Sequence, residues 1–126
     1  MSDSIISRIA VIILAIVMGV FGFYHFSHAR DMIAFVPDFL PGGIFWIYIV
    51  GVAFILVAIA LIAHRYVKFA GYLLAALLLI LALTVQLPNW LNAGDPELRQ
   101  SSLTNFLKDL AIAAFAAYVA SNAKKI

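Results

Sequence analysis

The sequence predicts an all-α integral membrane four-helix bundle, a single domain over residues 1–126 with both termini in the cytoplasm. Three observations carry that prediction. The composition is 66% hydrophobic and only 11% charged, with a mean hydropathy of +1.10, whereas a soluble domain is about half apolar and about a quarter charged. Four apolar segments each approach the roughly 20 residues that a helix needs to cross about 30 Å of hydrocarbon. None of them alternates with period two, and backbone groups in lipid must bond within their own segment, which leaves only helices.

The first segment runs from about Ile9 to Phe26. Arg8 precedes it and Ser27-His28-Ala29 imitates a small-x-small cleavage site, but we read it as a retained transmembrane helix rather than a signal peptide. It ends in a polar cluster of His25, His28, Arg30 and Asp31, followed by an amphipathic connector punctuated by Pro37 and Pro41. The second segment, about Ile44 to Ala63, opens on Trp46 and Tyr48, rings suited to a membrane interface along with Trp90. His64 to Lys68 is so short a loop that the second and third segments must be antiparallel neighbours. The third spans about Phe69 to Leu87, with Pro88 expected to end it, and Gly94-Asp95-Pro96 marks a turn. Ser101, Ser102 or Thr104 is expected to cap the fourth segment, about Leu103 to Ala120. Small residues four apart, Ala15 with Gly19 and Gly71 with Ala75, invite close helix contact, so a compact bundle is expected.

Orientation follows from the basic residues. Arg8, Arg65 and Lys68, and Lys124 and Lys125 fall on one side if all four segments cross, and this side is read as cytoplasmic. Arg30 and Arg99 fall on the other, accompanied by Asp31 and Asp38, and by Asp95 and Glu97. The net charge of +2 is scattered rather than striped, so nucleic acid is not an expected partner. With no cysteine, thiolate catalysis, iron–sulfur ligation and disulfide exchange are excluded. No phosphate loop, nucleophile elbow or metalloprotease helix is present, and no midplane polar groups of the kind transporters use.

Candidate site residues gather toward the outer end. His25 and His28 are three apart and share a face if the first helix continues that far; they are either ligand or proton-handling groups or interfacial histidines bonded to backbone. No metal site is expected, and His25 and His64 lie at opposite ends of their helices, too far apart to share a haem. Lys108 and Asp109 lie inside the fourth segment, where ionisable groups normally face a protein interior or cavity. Adjacent residues point about 100° apart, so each is expected to need a partner elsewhere, Arg30 for Asp109 and Asp31 for Lys108, with Asn105 completing the network. These residues form either a pocket for a ligand head group or a structural latch, with Lys108 snorkelling outward. Gln86, Asn89 and Asn92 flank the same end, as either cavity lining or backbone partners. The aromatic rings Phe21, Phe23, Phe26, Phe35, Phe39 and Phe45 suit either a flat ligand or interfacial anchoring.

The organising stretch also resembles a known family. Gly22, His25 and Phe26 read G-x-x-H-F, Pro37 and Pro41 read V-P-x-x-x-P, and Trp46, Tyr48 and Gly51 read W-x-Y-x-x-G. With Ala60-Leu61-Ile62, the short basic second loop and Leu107-Lys108-Asp109-Leu110-Ala111, these resemble the DoxX-like family of small four-helix bacterial membrane proteins over essentially the whole chain. The family often has a glutamate three residues after the glycine of the second helix, and Phe54 stands there in this chain. The resemblance implies a multi-pass protein of the bacterial cytoplasmic (inner) membrane, associated with quinone-linked oxidation of sulfur compounds or serving as a small subunit. The expectation is a non-catalytic subunit or scaffold of a larger, quinone-linked complex, with lipid and other membrane subunits or further copies as partners. The alternative is a protein that binds a quinone or lipid-like molecule at an outer polar pocket through His25, Arg30, Trp46, Tyr48, Lys108 and Asp109, with His28, Asp31 and Asn105 as a supporting network.

Overall fold

The computed structural model describes residues 3–36 and 41–123. Pro37, Asp38 and Phe39 of the connector, Lys124 and Lys125, and the side chain of Phe35 lie outside the described residues. Among the described residues every regular element is helical: α1 (Asp3–Ser27), α2 (Ala29–Met32), a 3₁₀ turn (Ile33–Phe35), α3 (Ile44–Ala63), α4 (Val67–Leu81), a π turn (Ala82–Gln86), α5 (Leu87–Asn92) and α6 (Pro96–Ser121). Four continuous helical rods, with α4, the π turn and α5 forming one of them, are long and apolar enough to cross a membrane. The chain is therefore a multi-pass all-α membrane protein.

The rods associate as two antiparallel pairs, α1 with α3 and α4–α5 with α6. Close approach explains the first pair. A Cβ on Gly22 would sit 2.6 Å from Ile55 Cγ1 and 2.9 Å from the Gly51 carbonyl oxygen, so only hydrogen fits there. Gly71 does the same for the second pair, where a Cβ would meet the Ala116 carbonyl oxygen and Ala120 Cβ, each at 2.8 Å. Gly19 is looser, with only ordinary contact to Ala58 at 3.7 Å.

One end of each pair is fastened by a cation. Arg8 donates to the carbonyls of Leu61 (2.9 Å) and Ile62 (2.6 Å) where α3 ends, the Leu61 oxygen also accepting from His64 N–H at 3.3 Å. Lys68 donates to the Ala120 carbonyl at the end of α6 (3.1 Å). These bonds put the start of α1, the end of α6 and the His64–Tyr66 turn at the same end of the molecule. That turn is tight enough to hold His64 and Tyr66 at φ of 58° and 56°, a left-handed backbone that bulky side chains rarely adopt.

The pairs share a core only in the half near this turn. Leu14, Met18, Val57 and Leu61 from the first pair meet Leu74, Leu78, Ala113 and Ala116 from the second. Toward the other end the pairs part around a cavity, within the four-helix bundle that the sequence predicts.

Two boundaries correct the sequence reading. Pro88 does not end the third rod, which continues to Asn92. The π turn just before it slips the hydrogen-bond ladder by one residue: Leu87 N–H bonds the Ala82 carbonyl, and Thr84 Oγ1 donates to the Ile80 carbonyl at 2.6 Å. This opens the turn ahead of the ring, relieving the clash and missing donor that make proline a helix breaker. The fourth rod begins at Pro96, and its cap is Asp95, whose carboxylate accepts from Leu98 N–H at 2.7 Å. Ser101, Ser102 and Thr104 lie inside the helix, with Ser102 buried.

Candidate functional site

Where the pairs diverge they enclose a cavity of about 750 Å³. From the first pair it receives Phe21, Tyr24, His25, His28, Trp46 and Phe54. The second pair supplies Gln86, Ser102, Asn105, Lys108, Asp109 and Ile112. Asp31 and Met32 stand at its loop end. The deeper wall is apolar, and the polar groups form a band above it.

Asp109 is the buried charged group of this band, 3% exposed, an exposure it shares with Ser102. Its carboxylate lies 3.7 Å from Lys108 Nζ. The expectation that adjacent residues on α6 could not neutralise one another is therefore overturned: the flexible lysine stem curls back across the turn to reach its neighbour. Lys108 does not snorkel away either. Its ammonium lies 4.5 Å from the centroid of the Phe21 ring, a cation–π contact that bridges the two pairs. Gln86, brought round by the π turn, faces the same carboxylate.

His25 sits one helical turn beyond Phe21. Its Nδ1 is 2.7 Å from the Phe21 carbonyl oxygen, and its ring meets Phe54 edge-on at 5.2 Å. Phe54 is buried in the cavity wall, so an aromatic ring occupies the place where the DoxX-like pattern often carries a carboxylate. His28 lies past the end of α1, stacked on Tyr24 at 4.0 Å and bonded to Ser27 Oγ. Both histidines line the cavity. Among the described residues no three His, Cys, Asp or Glu side chains gather as metal ligands would.

Arg30 and Tyr48 fall elsewhere. They line an adjoining recess of about 310 Å³ with Phe26, Ser27 and Ala29, and His28 and Asp31 belong to both spaces. The expected pairing of Arg30 with Asp109 is not formed, because α2 turns Arg30 outward while Lys108 already holds the carboxylate. Nor does Asp31 pair with Lys108; it remains exposed at the cavity mouth. Trp46 keeps its place in the lining and donates from Nε1 to the Pro41 carbonyl at 2.6 Å. Asn105 lines the cavity four residues before Asp109. Asn92 is exposed and Asn89 lies outside the cavity, with its amide nitrogen buried and unpartnered among the described residues.

The residues that sequence reasoning undervalued are Gln86, Thr84 and Ser102. Gln86 and Thr84 line the cavity from within the π turn, and no period-3.6 projection carries the rotation that such a turn adds. Ser102 is a cap candidate by residue type, and the signal that places it inside the helix is the stronger cap Asp95 directly before Pro96.

A family model described as a domain of unknown function, DUF8561, matches residues 14–120. No curated protein matches the chain. No solved structure matches it either.

Proposed function

The chain belongs to the DUF8561 family, a domain of unknown function, and on that premise we propose that it is a membrane receptor for a small amphipathic molecule of the quinone or lipid class. One observation carries the reading: a cavity of about 750 Å³ whose apolar wall ends in His25, Gln86, Asn105, Lys108 and Asp109. Sites for small ligands are commonly of this size, mostly apolar, with a few convergent polar groups to fix orientation. Ile49 and Ile80 belong both to its lining and to the exposed surface. The cavity is therefore open on the side that acyl chains would cover, a route for a lipid-soluble ligand. The DoxX-like resemblance supports the quinone branch of this class, and with it a bacterial inner-membrane location with the cavity end outward.

The companion proposal is a non-catalytic small subunit of a larger quinone-linked complex. It is supported by the uninterrupted aliphatic face of α1, where Ile5, Ile9, Ile13, Ile16 and Val20 are all exposed. Native mass spectrometry from mild detergent tests both readings. The receptor reading expects a retained small molecule that Ile112→Trp, which fills the deep wall, displaces without lowering thermal stability. Retention unchanged in that variant overturns it. A heteromeric mass that survives the substitution supports the subunit reading instead.

A further inference from the structure

The geometry points to a ligand whose head is uncharged and donates an O–H proton to His25 Nε2 while its oxygen accepts from Lys108. This deepens the proposed receptor function and rests on it, and within the quinone class it selects the reduced, hydroxyl-bearing form, because an oxidised quinone head offers only acceptors.

The donor requirement comes from one hydrogen bond. A backbone carbonyl can only accept, so at 2.7 Å from the Phe21 oxygen His25 Nδ1 must carry the hydrogen. The neutral imidazole then presents Nε2 as a lone pair, the tautomer being set by the bond at the other nitrogen. Among the described residues Nε2 has no hydrogen-bond partner, and the ring lines the cavity. An acceptor in an apolar-walled space rejects heads that offer only acceptors, because it is left unpaired against them.

The requirement for an uncharged head comes from the pair opposite. Lys108 and Asp109 enter the same space 3.7 Å apart and balance one another. An anionic head meets the buried Asp109 carboxylate, and a cationic head meets Lys108, so either disturbs a balanced pair where charges are poorly screened. An uncharged hydroxyl disturbs neither. Its oxygen keeps lone pairs for the Lys108 ammonium, which already rests against the Phe21 ring at 4.5 Å. The two groups that would hold the head thus converge on a single residue, Phe21, one through its carbonyl and the other through its ring. Phe54, edge-on to His25, continues an aromatic throat suited to a ring or a chain.

The experiment offers the full chain in mild detergent an equimolar mixture of 4-nonylphenol, 4-nonylanisole and 4-nonylbenzoate, and reads bound masses by native mass spectrometry. The phenol donates, its methyl ether cannot, and the benzoate is an anion. We expect the phenol to be bound about fivefold over each of the others, the worth of one net hydrogen bond. His25→Phe should keep both neutral probes bound and bring their ratio to about one, with the folded state checked by its melting temperature. Equal binding of phenol and ether by the unaltered protein, or a phenol preference that survives His25→Phe, overturns the donor requirement. Benzoate bound as well as phenol overturns the charge requirement. Binding of none of the three removes the receptor reading itself.

Discussion

The two helix pairs are fastened alike at one end and differ at the other. Arg8 ties α1 to the end of α3 and Lys68 ties α4 to the end of α6, while Gly22 and Gly71 let each pair close to backbone contact. Beyond the shared core, however, the first pair stays regular and contributes chiefly rings, with His25 and His28 its main polar groups in the cavity. The second pair carries a π turn, a mid-rod proline and a buried carboxylate, and supplies the amides, Lys108 and Asp109. The lesson is a division of labour. One pair keeps an unbroken ladder and acts as a wall, while the other gives up regularity to bring polar groups into an apolar space.

The largest effect should come from prising the regular pair apart. Gly22→Leu forces its side chain into Ile55 and the Gly51 backbone, and should lower stability by about 3 kcal/mol, near the top of the range for overpacked cores. Gly19→Ala, which meets only Ala58 at an ordinary distance, should leave the melting temperature in mild detergent nearly unchanged. Equal loss in both variants would remove the glycine contact as the basis of that pair.

Next comes the polar wall. Asp109→Leu strands Lys108 beside the Phe21 ring and should cost about 2 kcal/mol, less than a fully buried pair would because the lysine is partly exposed. Adding Lys108→Met should recover most of that loss in the same melting assay. If the two losses simply add, the pair is not an interacting unit.

The smallest effects separate the two fastenings. Arg8→Ala leaves the Ile62 carbonyl without its donor and takes one of two donors from Leu61, and should cost about 1.5 kcal/mol. Lys68→Ala removes one donor from the Ala120 carbonyl, which keeps a backbone N–H, and should cost about half as much. The reverse order in chemical denaturation would show that the second pair, not the first, depends on its cation.

Much of this plan was legible in the chain because lipid simplifies the problem. Apolar length fixes the number of rods, and the α3 boundaries, Ile44 and Ala63, coincide with the expected ones. Lys108 and Asp109 were identifiable because charge inside an apolar segment demands a partner. Their choice of partner was not, since a lysine stem has enough freedom to defeat an argument from helical angle alone. Pro88 misled for a related reason. Its effect depends on the hydrogen-bond ladder upstream, and nothing in Ala82-Leu83-Thr84-Val85-Gln86 announces that the ladder will slip there. The divergence of the pairs was equally hidden, because small residues report where backbones touch and say little about where they part.

The slip at Ala82–Gln86 makes spacing in this stretch matter more than chemistry. An α-helix advances about 100° per residue. Deleting one residue there would restore an ordinary ladder and swing whatever follows by roughly that angle, aiming Gln86 away from Asp109 and driving Pro88 into the preceding turn. A conservative exchange of Leu83 or Val85 would leave the bearing of both untouched. The molecule thus keeps its angular setting in a count, and a shortened chain would lose it even with every named side chain still present.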